Sequence, residues 1–120
     1  MSPRMVWAEL DETTGLPIRI FRNEKAAVAN GRSWDSVARV LRSFAVTEIR
    51  RAVWLRDNKT CTHCGKTVLW VVMNLHERIW RGRGGEISVA NGTTLCYDCH
   101  MDSPVAGHGS RKVQWSRVNQ

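Results

Sequence analysis

Four cysteines stand in two Cys-x-x-Cys pairs, Cys61 with Cys64 and Cys96 with Cys99, and residues 65–95 lie between them. Each pair suits a tight knuckle in which two thiolates grip one ion. Two knuckles complete a tetrahedral four-sulfur site, the arrangement that structural zinc prefers. Gly65, directly after the first pair, suits the turn of such a knuckle. Redox-active dithiols are another use of this spacing, but they accompany a strand–helix unit of thioredoxin type, and no such pattern is evident. His63 lies inside the first knuckle and reads as a spacer, since four thiolates already fill the shell. A closed four-sulfur site has no open coordination position, so it holds a fold and does not catalyse. Chemistry has to come from other residues.

The insert between the knuckles holds His76-Glu77-Arg78, then Arg81-Gly82-Arg83-Gly84-Gly85, then Asn91, and His100 follows the second knuckle directly. The order Cys-x-x-Cys, His-Glu-Arg-x-x-Arg-Gly-x-Gly-Gly, Asn-x-x-x-Leu-Cys-x-x-Cys-His resembles the HNH endonuclease family, in particular its small four-cysteine phage-type members. The resemblance covers roughly Ile49 to His100. Residues 1–45 and the tail lie outside it.

The resemblance implies a ββα-metal fold, in which two antiparallel strands and a helix grip one divalent ion. It implies a histidine general base on the first strand, metal ligands from that strand and from the last histidine, and an asparagine that braces the loop. His100 is then an ion ligand and Asn91 the brace. The first strand departs from the common pattern of two adjacent metal-binding and basic residues. Aligned on Arg78 to Gly85, His76 falls at the ligand position and Glu77 at the base position. In the other register His76 is the base, and Glu77 or His108 has to replace Leu75 as ligand. Imidazole titrates near neutrality and glutamate normally does not, which favours His76 as base.

The chemistry is coherent in its own right. Phosphodiester hydrolysis needs a deprotonated water, charge neutralisation on the phosphate and a stabilised leaving oxygen. A base supplies the first and a divalent ion (Mg²⁺, Mn²⁺, Ni²⁺ or Zn²⁺) the other two. Arg78, Arg81 and Arg83 are placed to hold the phosphate backbone, and the basic tail with Arg111 and Lys112 suits further non-specific contact. Trp80, within the basic loop, reads as a core tryptophan.

Bulk properties agree with such a partner. The net charge of +7 attracts polyanions, nucleic acid before anionic membrane. Hydrophobic residues make up 42% and charged residues 24%, an ordinary globular balance. No apolar run is long enough to span a bilayer, and Met1–Met5 lacks the apolar stretch of a signal peptide, so a cytoplasmic protein is expected. In a reducing compartment, four cysteines are metal ligands before they are disulfides. Double-stranded DNA is the expected partner and a monomer or weak dimer the expected state.

These residues need elements to position them. A weak edge strand is expected over Leu16–Phe21, and a short helix over Glu24–Asn30. Ser33 reads as N-cap of a second helix, Trp34–Phe44, and Thr47 as cap of a third, Glu48–Arg56. Gly31 to Leu41 resembles the first half of a helix-turn-helix, although plain helix packing gives the same pattern. An apolar strand is expected over Leu69–Leu75, a return strand over Asn91–Leu95, and a helix or turn from Cys96. The expected fold is α+β: a ββα-metal unit, stapled by a four-cysteine zinc site, with N-terminal helices packed on it. Residues 1–45 form the helical extension and residues 46–120 the HNH nuclease domain with its basic tail. The rival function is a non-catalytic zinc-ribbon module that binds DNA or protein. His76, Asn91 and His100 argue against it, because a bare ribbon has no use for them.

Overall fold

The structure, a computed structural model, describes residues 3–102. The first two strands, β1 (Met5–Leu10) and β2 (Pro17–Phe21), form a hairpin. Asp11 closes it. Its carboxylate accepts the N–H groups of Thr13 and Thr14, each at 2.8 Å, and its carbonyl accepts that of Gly15. Gly15 has φ +73°, a left-handed conformation that a side chain would strain. A helix, α1 (Glu24–Asn30), follows, with Asn23 capping its start by accepting the Ala26 N–H at 2.9 Å.

The N-terminal segment is a sheet rather than a bundle of helices. Trp34–Ser36 makes a single tight turn. There Ser36 Oγ accepts the Ser33 N–H and donates to the Ser33 carbonyl. The chain then runs as β3 (Val37–Leu41), antiparallel to β1, with Val40 opposite Val6 and Ala38 opposite Ala8. The sheet order is β2-β1-β3. This overturns the expected helix Trp34–Phe44, the helical extension and the helix-turn-helix resemblance. Val37, Ala38, Val40 and Leu41 satisfy a helical stripe, but β1 offers them a complete ladder, and β-branched side chains fit a pleated surface. As expected, β2 is an edge strand of this sheet. Residues 87–89 of the insert pair along its outer side, through Ile20 N–H to the Ile87 carbonyl and Val89 N–H to the Ile18 carbonyl, both at 2.9 Å.

The long helix α2 (Arg42–Arg56) starts well before the expected Thr47 cap. Its first N–H, that of Arg42, donates to the Arg4 carbonyl beside β1. Ala45, Ile49 and Val53, spaced four apart, form its buried stripe. After α2 the chain turns sharply through Asn58 (φ 57°) and Lys59 (φ 60°). The helix end is tied to the insert. The Arg56 guanidinium donates to the Val89 and Gly92 carbonyls at 2.8 and 2.7 Å, and the Asp57 carboxylate accepts the Thr94 N–H at 2.9 Å.

The expected strand Leu69–Leu75 is displaced toward the C-terminus. Trp70–Val72 forms a tight turn in which Val71 is 83% exposed, and the strand β4 covers Asn74–Glu77. It pairs antiparallel with β5 (Gly92–Leu95), His76 opposite Thr93 and Leu75 opposite Thr94. A short helix, α3 (Tyr97–Asp102), ends the described chain. The molecule is thus α+β, with two antiparallel sheets. Ile49 and Val53 of α2, Val68, Met73, Ile87 and Leu95 form one core with Cys61, Cys96 and Cys99, and Ile20 of β2 packs against it. Among the described residues, no helix is long and apolar enough to cross a membrane.

Candidate metal centre and adjoining histidine pair

The first knuckle is a backbone turn in which the Gly65 N–H donates to the Cys61 carbonyl at 2.9 Å and the Cys61 N–H to the Lys66 carbonyl at 2.8 Å. Gly65 takes φ +80°, as the tight turn requires. Thr62 fastens the knuckle to β5: its N–H donates to the Thr94 carbonyl, and its hydroxyl lies 2.7 Å from that of Thr93. The second knuckle is the start of α3, where the His100 N–H donates to the Cys96 carbonyl.

These turns gather the four sulfurs of Cys61, Cys64, Cys96 and Cys99 within 4.8 Å of one another, with Cys64 and Cys96 3.8 Å apart. A tetrahedron with metal–sulfur bonds of about 2.3 Å has edges of about 3.8 Å, so the cluster has zinc dimensions. Disulfides, at about 2.05 Å, are excluded, and all four cysteines are free.

The thiols resist ionising together. Burial, then hydrogen bonds to and among the neighbouring sulfurs, hold the Cys99 thiol well above its ordinary range, and burial likewise raises Cys96. Burial also opposes ionisation of Cys61, but backbone N–H donors of Cys64, Cys96 and His63 outweigh it and bring that thiol down to about 7. One thiolate is stabilised in place, and a cation is what would allow the rest to ionise. The donor set, spacing and burial therefore fit a structural zinc.

Beside the cluster, β4 and α3 bring two histidines together. His76 is 3% exposed, and its ring meets that of His100 edge to face, centroids 6.0 Å apart. Burial, and secondarily the charge of His100, lower the His76 pKa to about 4. His76 is therefore neutral at physiological pH. The near-neutral titration that favours a histidine as base does not apply to this imidazole. Glu77 is the last residue of β4 and half-buried.

Asn91 lies at the turn into β5. Its side-chain oxygen accepts the Ile79 N–H at 2.8 Å, and its side-chain nitrogen donates to the Ile79 and Glu86 carbonyls, both at 2.8 Å. Its carbonyl accepts the Arg78 N–H, and its own N–H donates to Ser88 Oγ. One amide thus fixes both ends of the 79–86 loop. The loop closes so tightly that a Cβ on Gly85 would lie 1.6 Å from the Ile79 carbonyl oxygen. Asn91→Ala should lower stability by about 1–2 kcal/mol, through three lost hydrogen bonds. Asn91→Asp, which keeps the acceptor but sets a carboxylate oxygen against the Ile79 and Glu86 carbonyls, should cost at least as much as Asn91→Ala. Urea unfolding of the three proteins checks this order.

Arg78, just before this loop, and Arg83, within it, are exposed, and Trp80, expected in the core, is 49% exposed. His108, Arg111 and Lys112 lie outside the described residues, as does the side chain of Arg81. Two supporting groups, Asp57 and Ser88, carry no signal in the sequence. Their roles, holding the Thr94 and Asn91 N–H groups, come from contacts made only by the folded chain. No protein-family model matches the chain, and no curated protein and no solved structure matches it.

Proposed function

We propose that the chain is a divalent-metal-dependent endonuclease of HNH type that hydrolyses DNA phosphodiester bonds. The observation that carries this reading is the meeting of His76 and His100, from β4 and α3, next to a loop locked by Asn91. A module that needed only its zinc staple would gain nothing from a buried imidazole meeting a half-buried one beside the cluster. The succession of the antiparallel strands β4 and β5 and the helix α3 supports the reading, because a ββα-metal unit needs two antiparallel strands and a helix.

His100, with His76 or Glu77, would hold the divalent ion. When bound, that ion supplies charge neutralisation at the phosphate and at the leaving oxygen. The chain's own groups do the rest. Glu77 or His76 takes the proton of the attacking water, according to which of them is not a ligand. Asn91 keeps the 79–86 backbone fixed while Arg78 and Arg83 hold the phosphates of the strand. The four thiolates lock the second knuckle, and so the start of α3, against β5 and take no part in the reaction.

The test is incubation of zinc-loaded protein with supercoiled plasmid, alone or with Mg²⁺, Mn²⁺ or Ni²⁺. Nicked or linear product that depends on the added ion is the expected result. A folded, zinc-loaded protein that binds the plasmid and cuts it with none of the ions would leave the non-catalytic binding module as the reading.

A further inference from the structure

A groove of about 910 Å³ lies outside the histidine site, bounded by β1, β2, α1, the start of α2 and residues 84–87 of the insert. Six cations line it, Arg4, Arg19, Arg22, Lys25, Arg39 and Arg42, against two carboxylates, Glu24 and Glu86. Arg19 and Glu86 neutralise each other in an ion pair at 2.8 Å. The other five cations make no ion pair among the described residues, so they face Glu24 alone.

Such a density of uncompensated positive charge in a concave surface is unfavourable by itself and is relieved by a polyanion. The groove's aromatic rings narrow the choice. Trp7 packs at a tilt against Trp34, centroids 5.7 Å and planes 36° apart, and Phe21 is 5% exposed beneath the Arg19 guanidinium. Binding of single strands relies on open ring faces for successive bases, and these rings are already engaged. What remains on offer is charge, which suits a strand whose bases are paired with another strand.

We propose that this groove seats the phosphate backbone of duplex DNA, independently of sequence, and leads it to the insert. The Ile20 N–H to Ile87 carbonyl bond joins the groove wall to the loop that Asn91 holds. The proposal rests on DNA being the substrate, but not on cleavage.

The test is fluorescence anisotropy of a short labelled duplex with the full, zinc-loaded chain and no added divalent ion. The comparison protein carries Arg22→Gln, Lys25→Gln and Arg39→Gln, three exposed positions. At about 0.1 M salt the triple variant should bind ~10²-fold more weakly, and its plot of log affinity against log salt should be shallower by about 2–3. A variant with Arg22→Lys and Arg39→Lys should keep the wild-type slope. If the triple variant melts early, Arg39→Gln alone carries the test, with a slope shallower by about 1. Unchanged affinity and slope would overturn the proposal. So would absence of duplex binding at low salt, or tighter binding of the matching single strand that the same substitutions abolish. Retained binding in a His100→Ala protein that no longer cuts would leave the groove standing. Normal cutting by the triple variant with unchanged binding would remove the groove and leave the nuclease reading intact.

Discussion

Stripping the metal from the four-cysteine cluster should abolish cooperative unfolding of the protein. Structural zinc contributes an apparent 10–16 kcal/mol or so in small domains, as much as or more than the total stability of about 5–15 kcal/mol typical of a protein this size. Here three of the four ligands, Cys61, Cys96 and Cys99, belong to the same core as Ile49, Val53 and Leu95. Without a cation the burial that raises the Cys99 and Cys96 thiols leaves crowded sulfurs with nothing to hold them in place. Metal analysis should give one zinc per chain. A high-affinity chelator, or Cys99→Ser, should turn a sharp thermal transition into a broad one. The pH dependence has a definite sign. Each ligand binds as thiolate, so protons compete with the metal, and zinc should be released as pH falls. A metal-free protein with an unchanged, sharp melting transition would reject the staple.

The second large effect concerns cleavage. On the proposed mechanism, His100→Ala should lower plasmid cutting by at least ~10³-fold, because it would remove an ion ligand from a reaction that needs charge neutralisation at the phosphate. His76→Ala should lose about 10²–10⁴-fold whether His76 is ligand or base. Both proteins should still hold one zinc, since neither residue belongs to the sulfur cluster. His76 is buried, so its replacement also leaves a cavity, and His76→Gln, closer in volume, separates loss of packing from loss of chemistry. Glu77→Gln decides between the two registers. A loss as large as that of His76 makes Glu77 the base or a ligand, whereas a small loss leaves the proton transfer to His76. Undiminished cutting by the His76→Ala, His100→Ala double variant would refute the mechanism.

How much of the molecule is legible in its sequence follows from how local each signal is. The cysteine cluster is readable because Cys-x-x-Cys spacing encodes its own turn, and two such turns need only one shared ion. The end of α1 is readable from the Asn30-Gly31 punctuation, and β5 from its short run between Asn91 and Cys96. The Val37–Leu41 segment misleads because helical and strand periodicities coincide over five residues, and only the presence of β1 decides between them. The Leu69–Leu75 run misleads for another reason. Its apolar content suggests burial, yet Leu69, Val71 and Val72 are exposed, while Val68 and Met73 on either side enter the core. In the site, the convergence of His76 with His100 can be anticipated only through the resemblance. The fall of the His76 pKa cannot, since burial is a property of the fold and not of the residue. The basic groove is invisible for a similar reason. Its cations come from residues 4 to 42, scattered singly, and gather only when β1, β2 and β3 pair.

The pairing of residues 87–89 along the outer side of β2 has a consequence for modularity. Residues 1–45 resemble an appended arm when the chain is read as a string, but they supply a wall of the insert. A truncation at Val46 would break α2, remove the buried Ala45, bare Ile49, and leave the Val89 N–H and the Ile87 carbonyl without their bonds to β2. The arm is therefore not a cassette that can be exchanged without disturbing the insert. Swapped between two such proteins, it would have to travel with the 79–89 loop that it braces, and the two would be inherited as one piece.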